Sequence, residues 1–204
     1  MLRDIEYVIS KIIRKMHFKA IKNSVVHKTA YLGAGTNFIN SKMDRHSFCG
    51  YDCTIIEANI GSFCSIANNC HIGGASHTMD WVSTSPVFNN NKDGKRKKYS
   101  RHEYNPYAKT IVGHDVWIGE KCLIKAGVEI GTGSIIGMGS IVTKNVPPYE
   151  IWAGNPANFI RKRFTSSVSE KLLESEWWNF EDKKLERIAE YICEVDVFLE
   201  HTKD

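Results

Sequence analysis

The side chains able to do chemistry crowd one stretch of this sequence: His77, Asp80, Trp81, Ser83, Thr84 and Ser85. An imidazole among hydroxyls and a carboxylate can move protons in a general acid–base step or bind a metal. A loop histidine standing alone is more often an ordinary surface residue, so the cluster by itself leaves the chemistry open. His71, His102 and His114 are the other histidines placed near it in the chain. Cys49, Cys53 and Cys193 show neither zinc-ribbon nor paired-disulfide spacing. No Walker or dinucleotide glycine loop is present, which argues against nucleoside triphosphate chemistry.

What must position these residues is a repeat. From Val112, steps of six reach Ile118, Ile124, Ile130, Ile136 and Val142. Ile60, Ile66 and Ile72 obey the same rule, and Val26, Leu32 and Phe38 form a weaker third run. Four residues after these aliphatics come small ones, among them Cys64, Cys70, Val116, Cys122, Ser134 and Ser140. Glycine follows directly at Gly61, Gly73, Gly113, Gly119, Gly131 and Gly137. A period of six fits neither a helix nor a strand meander; it is the hexapeptide β-helix signature. Three hexapeptides complete a triangular coil, the aliphatic side chain points to its centre, and coils stack about 4.8 Å apart. Cys64, Cys70 and Cys122 then serve as compact apolar core residues. A reducing compartment is expected.

The period breaks between Ile72 and Val112, so residues 73–111 are a loop inserted into the coil, a place where function is commonly carried. The reactive cluster lies on its first limb. Its second limb carries a basic run, Lys95 to Lys98, within the segment KDGKRKK; such a run is usually a solvated loop, though it suits phosphates or an acidic glycan. After the coil, Ser167 and Glu170 suggest a capping box opening a helix. Leu185, Ile188, Ile192, Val195 and Leu199 mark one face of a final helix, expected over the open end of the stack.

At the other end, Arg3, Lys11, Arg14 and Lys15 rule out a signal peptide or membrane span. Ile5, Val8, Ile9, Ile12, Ile13 and Met16 mark one face of a helix. That face packs on the body of the protein or on a neighbouring subunit, or rests on an anionic membrane surface. The organisation read from the sequence is an N-terminal amphipathic helix (1–22), a β-helix (23–164) with its insertion (73–111), and C-terminal helices (165–204). The net charge of +4 calls for no nucleic-acid partner, and the expected location is cytoplasmic.

Three segments carry a resemblance: His77 through Pro86 (HTMDWVSTSP), Val112 through Gly119 (VGHDVWIG), and Ala153 through Ala157 (AGNPA) with Arg161 through Phe164 (RKRF). Over residues 25–165 the chain resembles hexapeptide acyltransferases of the xenobiotic acetyltransferase type. That group includes chloramphenicol and streptogramin acetyltransferases and O-acetyltransferases of sugars and surface polysaccharides. The resemblance implies a left-handed coil, although parallel crossovers are ordinarily right-handed. It also implies acetyl-CoA as acyl donor, a homotrimer with the coenzyme between coil stacks, and His77 as the catalytic base. Imidazole suits removal of a hydroxyl proton during attack on a thioester. By the same resemblance Gly119, Ala126, Met138, Thr143 and Lys144 contact the coenzyme and Arg161 its phosphates, while Asp80, Trp81, Ser83 and Ser85 line the acceptor pocket. No metal is expected.

The loop departs from the antibiotic-modifying members in being longer and basic. That moves the expected acceptor toward a sugar or surface-glycan hydroxyl, with an antibiotic acetyltransferase and an amino-sugar N-acetyltransferase as alternatives. From another class, a γ-carbonic-anhydrase-like zinc hydratase would need three imidazoles, for which His71, His77 and His114 are the candidates.

Overall fold

The computed structural model describes residues 2–91 and 97–203. Lys92 to Arg96, and with them half of the basic run, lie outside the described residues. The chain winds as a mainly β, left-handed parallel β-helix with three faces. Face A stacks Ala20–Lys22, Asn37–Ile39, Thr54–Ile56, His71–Gly73, Leu123–Ile124 and Ile141–Val142. Face B stacks Val25–Val26, Lys42–Met43, Ala58–Ile60, Thr110–Val112 and Glu129–Ile130. Face C stacks Tyr31–Leu32, Phe48–Cys49, Ser65–Ile66, Trp117–Ile118, Ile135–Ile136 and Glu150–Gly154, and Ala157–Lys162 closes it antiparallel.

The aliphatic columns form the core. Ile60, Ile66, Ile72 and the six residues from Val112 to Val142 point inward and are at most 2% exposed. Between them and the first run lies another that steps of six do not reach: Met43, Cys49 and Ile55, all fully buried. The reason is a short corner. Phe38 pairs with Ile55 and Ile55 with Ile72, giving seventeen-residue coils, whereas Ile124 pairs with Val142, giving eighteen. The missing residue is at the corner between faces A and B, which Asn40 and Glu57 turn in the left-handed region (φ 49° and 53°).

Cys49 and Cys53 therefore join Cys64, Cys70 and Cys122 in the core. Most of these thiols point at a carbonyl of the next coil: Cys53 at Ala67 (3.2 Å), Cys64 at Gly113 (3.0 Å), Cys70 at Gly119 and Cys122 at Gly137 (both 3.1 Å). Cys193 is exposed.

The sequence expectations for both ends of the chain change. The N-terminal helix, α1 (Leu2–Lys15), ends well before residue 22, because Ala20–Lys22 already pairs with Asn37–Ile39 as the first strand of the coil. Its apolar face does not pack on the body of the protein: Ile5, Val8, Ile9, Ile12, Ile13 and Met16 are all at least half exposed.

The C-terminal helix α2 (Ser166–Ser175) is capped by Thr165, whose hydroxyl accepts the Val168 N–H, rather than by Ser167. The single final helix is instead two short ones, α3 (Asp182–Ile188) and α4 (Val195–His201), separated by a 3-10 turn at Ala189–Tyr191 that leaves Ile192 exposed.

These helices also make their contacts along the corner between faces B and C, not over the end of the stack. The Arg45 guanidinium donates to the carbonyls of Trp178 and Phe180 and pairs with Asp182. Phe63 packs on Trp177, and the His114 ring stacks on Trp178 at 5.0 Å and 10°. Arg163 reaches Asp115 (3.2 Å) and the Gly133 carbonyl (2.6 Å). Tyr149, Leu172, Ile188, Phe198 and Leu199 make a second core there, so the corner supplies the apolar surface that the helix stripes require.

Candidate active site

The inserted loop leaves the coil at the corner between faces A and B, where other coils turn with a single tight step. Gly73, with φ 76°, starts it; a Cβ there would stand 2.1 Å from the Ile56 carbonyl oxygen, so only glycine fits. The loop's return is strapped by Lys109, whose ammonium lies 2.8 Å from Glu57 Oε2 and 2.9 Å from the Asn40 carbonyl. Its limbs are zipped together by backbone bonds from Tyr99 to Val87 (2.9 Å) and Asn90 to His102 (3.0 Å). The Ser100 hydroxyl and Lys98 ammonium donate to the Phe88 and Pro86 carbonyls (both 2.6 Å).

His77 opens the first limb and is exposed. Its Nδ1 lies 2.8 Å from the Thr84 carbonyl oxygen. A carbonyl can only accept, so Nδ1 carries the proton in this contact, and in the neutral ring Nε2 keeps its lone pair. Two neighbours hold the geometry. The buried Thr78 hydroxyl donates to the Ser83 carbonyl (3.2 Å), closing the turn that presents Thr84. On the other side the Ser76 N–H donates to the Pro106 carbonyl (2.8 Å), and its hydroxyl bonds Tyr104 Oη (2.9 Å).

Beside this turn is an open cavity of about 590 Å³ lined by Asp80, Trp81, Val82, Ser83, Phe88, Ser100 and His102. Trp81 meets His102 and Tyr104 edge-on, at 5.7 and 6.0 Å between ring centres. Asp80, Trp81 and Ser83 thus share one wall. Ser85 does not line it: its hydroxyl accepts the Val87 N–H (3.4 Å) and caps the short 3-10 turn Pro86–Phe88. Phe88, Ser100 and His102 were not legible as site residues. The only signal for them is the density of aromatic and hydroxyl side chains from Tyr99 to Tyr104.

The six positions assigned to the coenzyme do not converge within one chain. Ala126, Thr143 and Lys144 lie on the A–B corner, in the two coils beyond the loop's exit. Gly119 and Met138 lie on the C–A corner, with face A between the two groups. Arg161 stands on the closing strand opposite Ile151 and donates to the Lys162 carbonyl (3.0 Å). A Cβ at Gly119 would meet the Met138 backbone nitrogen at 2.5 Å, so coil stacking alone requires glycine there.

Nor do the three imidazoles meet. His71 is on the outside of face A. His114 sits at the B–C corner, where its Nδ1 accepts the Ser62 N–H (3.0 Å) and burial holds its pKa below the ordinary value. Among the described residues no three His, Cys, Asp or Glu side chains are placed to hold a metal ion.

Among the described residues the hexapeptide coil is thus interrupted by one folded loop, which carries His77. Residues 109–144 match the family described as bacterial transferase hexapeptide (six repeats). The chain is 38% identical over 141 residues to a chloramphenicol acetyltransferase of Klebsiella aerogenes, covering 68% of this chain and 67% of that protein. It is 44% identical over 129 residues to a probable macrolide acetyltransferase of Lysinibacillus sphaericus, covering 62% and 71%. To the galactoside O-acetyltransferase of Escherichia coli K12 it is 30% identical over 155 residues, covering 74% and 66%. The chain belongs to the hexapeptide-repeat acetyltransferases of the xenobiotic type, and it is an acyltransferase.

Proposed function

We propose that this protein transfers an acetyl group from acetyl-CoA to a hydroxyl of a sugar or surface-glycan acceptor, with His77 as general base. The observation that carries the reading is the His77 Nδ1–Thr84 hydrogen bond, which leaves Nε2 as the basic nitrogen. Nε2 takes the proton of the acceptor hydroxyl as its oxygen attacks the thioester carbonyl. Collapse of the tetrahedral adduct breaks the C–S bond, and the imidazolium returns its proton to the departing thiolate. Ester and free coenzyme A are the products. Asp80, Ser83 and Ser100 offer hydrogen bonds to acceptor hydroxyls, and Trp81 an apolar wall.

The coenzyme reading requires more than one copy. Ala126, Thr143 and Lys144 on one corner and Gly119 and Met138 on another would line a single groove if adjacent copies each gave one edge. A homotrimer is supported by the outside of face C, where Tyr31, Phe48, Trp117 and Ile135 stack in one column with only Ser65 interrupting. Such an apolar stripe on a sheet face is the kind of surface that subunits cover. A cytoplasmic location belongs to the same reading, in line with five unpaired cysteines in the core.

A second reading, an antibiotic acceptor, is favoured by the relatives at 38% and 44% identity and by the apolar walls from Trp81, Val82 and Phe88. Release of coenzyme A thiol should be followed with hexoses and polysaccharide fragments, amino sugars, chloramphenicol and a macrolide as acceptors. Turnover on sugar hydroxyls is the expected result. Turnover confined to drugs or to amines replaces it with one of the alternatives.

A further inference from the structure

An apolar face of α1 is left without a partner among the described residues, and its spacing says what covers it. Ile5, Ile9, Ile12 and Met16 recur at alternating steps of four and three, so they form the a and d positions of a heptad, with Ile9 and Met16 at a and Ile5 and Ile12 at d. The helix is carried to Met16 by the Met16 N–H bonding the Ile12 carbonyl (3.1 Å). Tyr7, Ser10, Lys11 and Arg14 occupy outer b, c and f positions. All of the seam residues are at least half exposed.

Isoleucine at both d positions and at one a position, Ile9, favours three- and four-stranded coiled coils over dimers. The flanks agree. Val8 falls at g and Ile13 at e of the next heptad, the pair that faces across adjacent parallel helices, and there it is apolar instead of charged. A seam widened in this way needs two neighbours per helix. An anionic membrane fits less well: the apolar face carries no aromatic anchor, Glu6 as well as Lys15 flanks it, and Lys11 and Arg14 stand on the opposite side. At 14 residues the helix is too short to be stable on its own in water, so it requires the coils to bring its partners together.

We propose that α1 of one copy packs against α1 of two further copies as a parallel three-helix bundle continuous with the coil trimer. The inference rests on the trimeric reading of the coil and adds an interface to it. The bundle joins the three chains at their N-terminal ends, independently of the face C column.

The test is disulfide cross-linking in the full chain, in a Cys193→Ser background so that no native thiol is exposed. Ile9→Cys places a thiol at an a position, where three copies converge; Tyr7→Cys places one on the outer face. Sedimentation gives the assembly state of each, and co-sedimentation with equimolar phosphatidylcholine and phosphatidylglycerol vesicles gives lipid binding. The expected result is a trimer in which mild oxidation yields covalent dimer at residue 9 and not at residue 7, with no retention on vesicles. A trimer without residue 9 cross-links overturns the bundle while leaving the coil trimer standing. A monomer overturns both. Vesicle binding that an Ile9→Glu/Ile12→Glu variant abolishes, again without cross-links, assigns the face to lipid instead.

Discussion

Replacing His77 by alanine separates chemistry from structure, because the residue is exposed and makes one hydrogen bond, to the Thr84 carbonyl at 2.8 Å. Loss of that bond costs at most about 1 kcal/mol of stability, which for a chain of this size is a melting shift of roughly 2–4 °C. Loss of a general base costs far more: about 10²- to 10⁴-fold in rate, or ~3–5 kcal/mol of barrier. The variant is therefore expected to fold normally and to lose nearly all turnover. Its KM for acetyl-CoA should move by less than about threefold, because the ring is assigned to the reacting hydroxyl and not to donor binding. Thiol release under saturating acetyl-CoA and acceptor measures the first quantity, and differential scanning fluorimetry the second. A variant retaining more than about a tenth of wild-type kcat, with its melting point unchanged, removes His77 from proton transfer. A comparable loss of rate with a melting shift well above about 4 °C would instead mean that the loop had come undone.

Gly119→Ala tests whether that glycine serves the coenzyme or the coil: the clash with the Met138 backbone should cost about 1–3 kcal/mol in urea unfolding, with KM for acetyl-CoA changed little. A raised KM at unchanged stability would reverse the assignment. His114 gives a pH dependence with a definite sign. Burial lowers its folded pKa below the unfolded value, so the unfolded chain binds the proton first and stability falls as pH drops from about 6.5 toward the folded value. Urea midpoints read through tryptophan fluorescence at pH 7.5 and 5.5 should show that decline, and His114→Gln should flatten it. Thiol titration of native protein should find one fast group of six, Cys193, lost in Cys193→Ser, with the other five reacting only after unfolding. Burial pushes the Cys64 thiol up to about 12; Cys122, held near 7 beside Cys70, is equally sealed, so access decides. More than one fast thiol would mean that the coil opens.

How much of the molecule was legible in advance varies with how local its cause is. The columns from Ile60 to Ile72 and from Val112 to Val142 were readable because every coil repeats one packing rule: an inward aliphatic, a small neighbour, then a turn. Met43, Cys49 and Ile55 follow the same rule, but the shortened corner at Asn40 and Glu57 shifts the count, and a corner's length is fixed by backbone geometry that no residue type announces. The insertion at 73–111 was visible as a break in the period, and His77 through its neighbours in sequence.

Contacts between segments distant in the chain were decided by the tertiary structure. The second limb brings Phe88, Ser100 and His102 against Trp81, which turns a cluster on one limb into a cavity with two walls. Ser85 is the local exception, its hydroxyl capping the turn two residues on at the Val87 N–H. The C-terminal helices ran along the B–C corner because Phe63, His114 and Tyr149 offered them aromatic surface there, contributed by different coils. Sequence alone determined the coil, since its cause recurs at a fixed step. The composition of the site and the course of the helices waited on the fold, which alone sets which distant side chains meet.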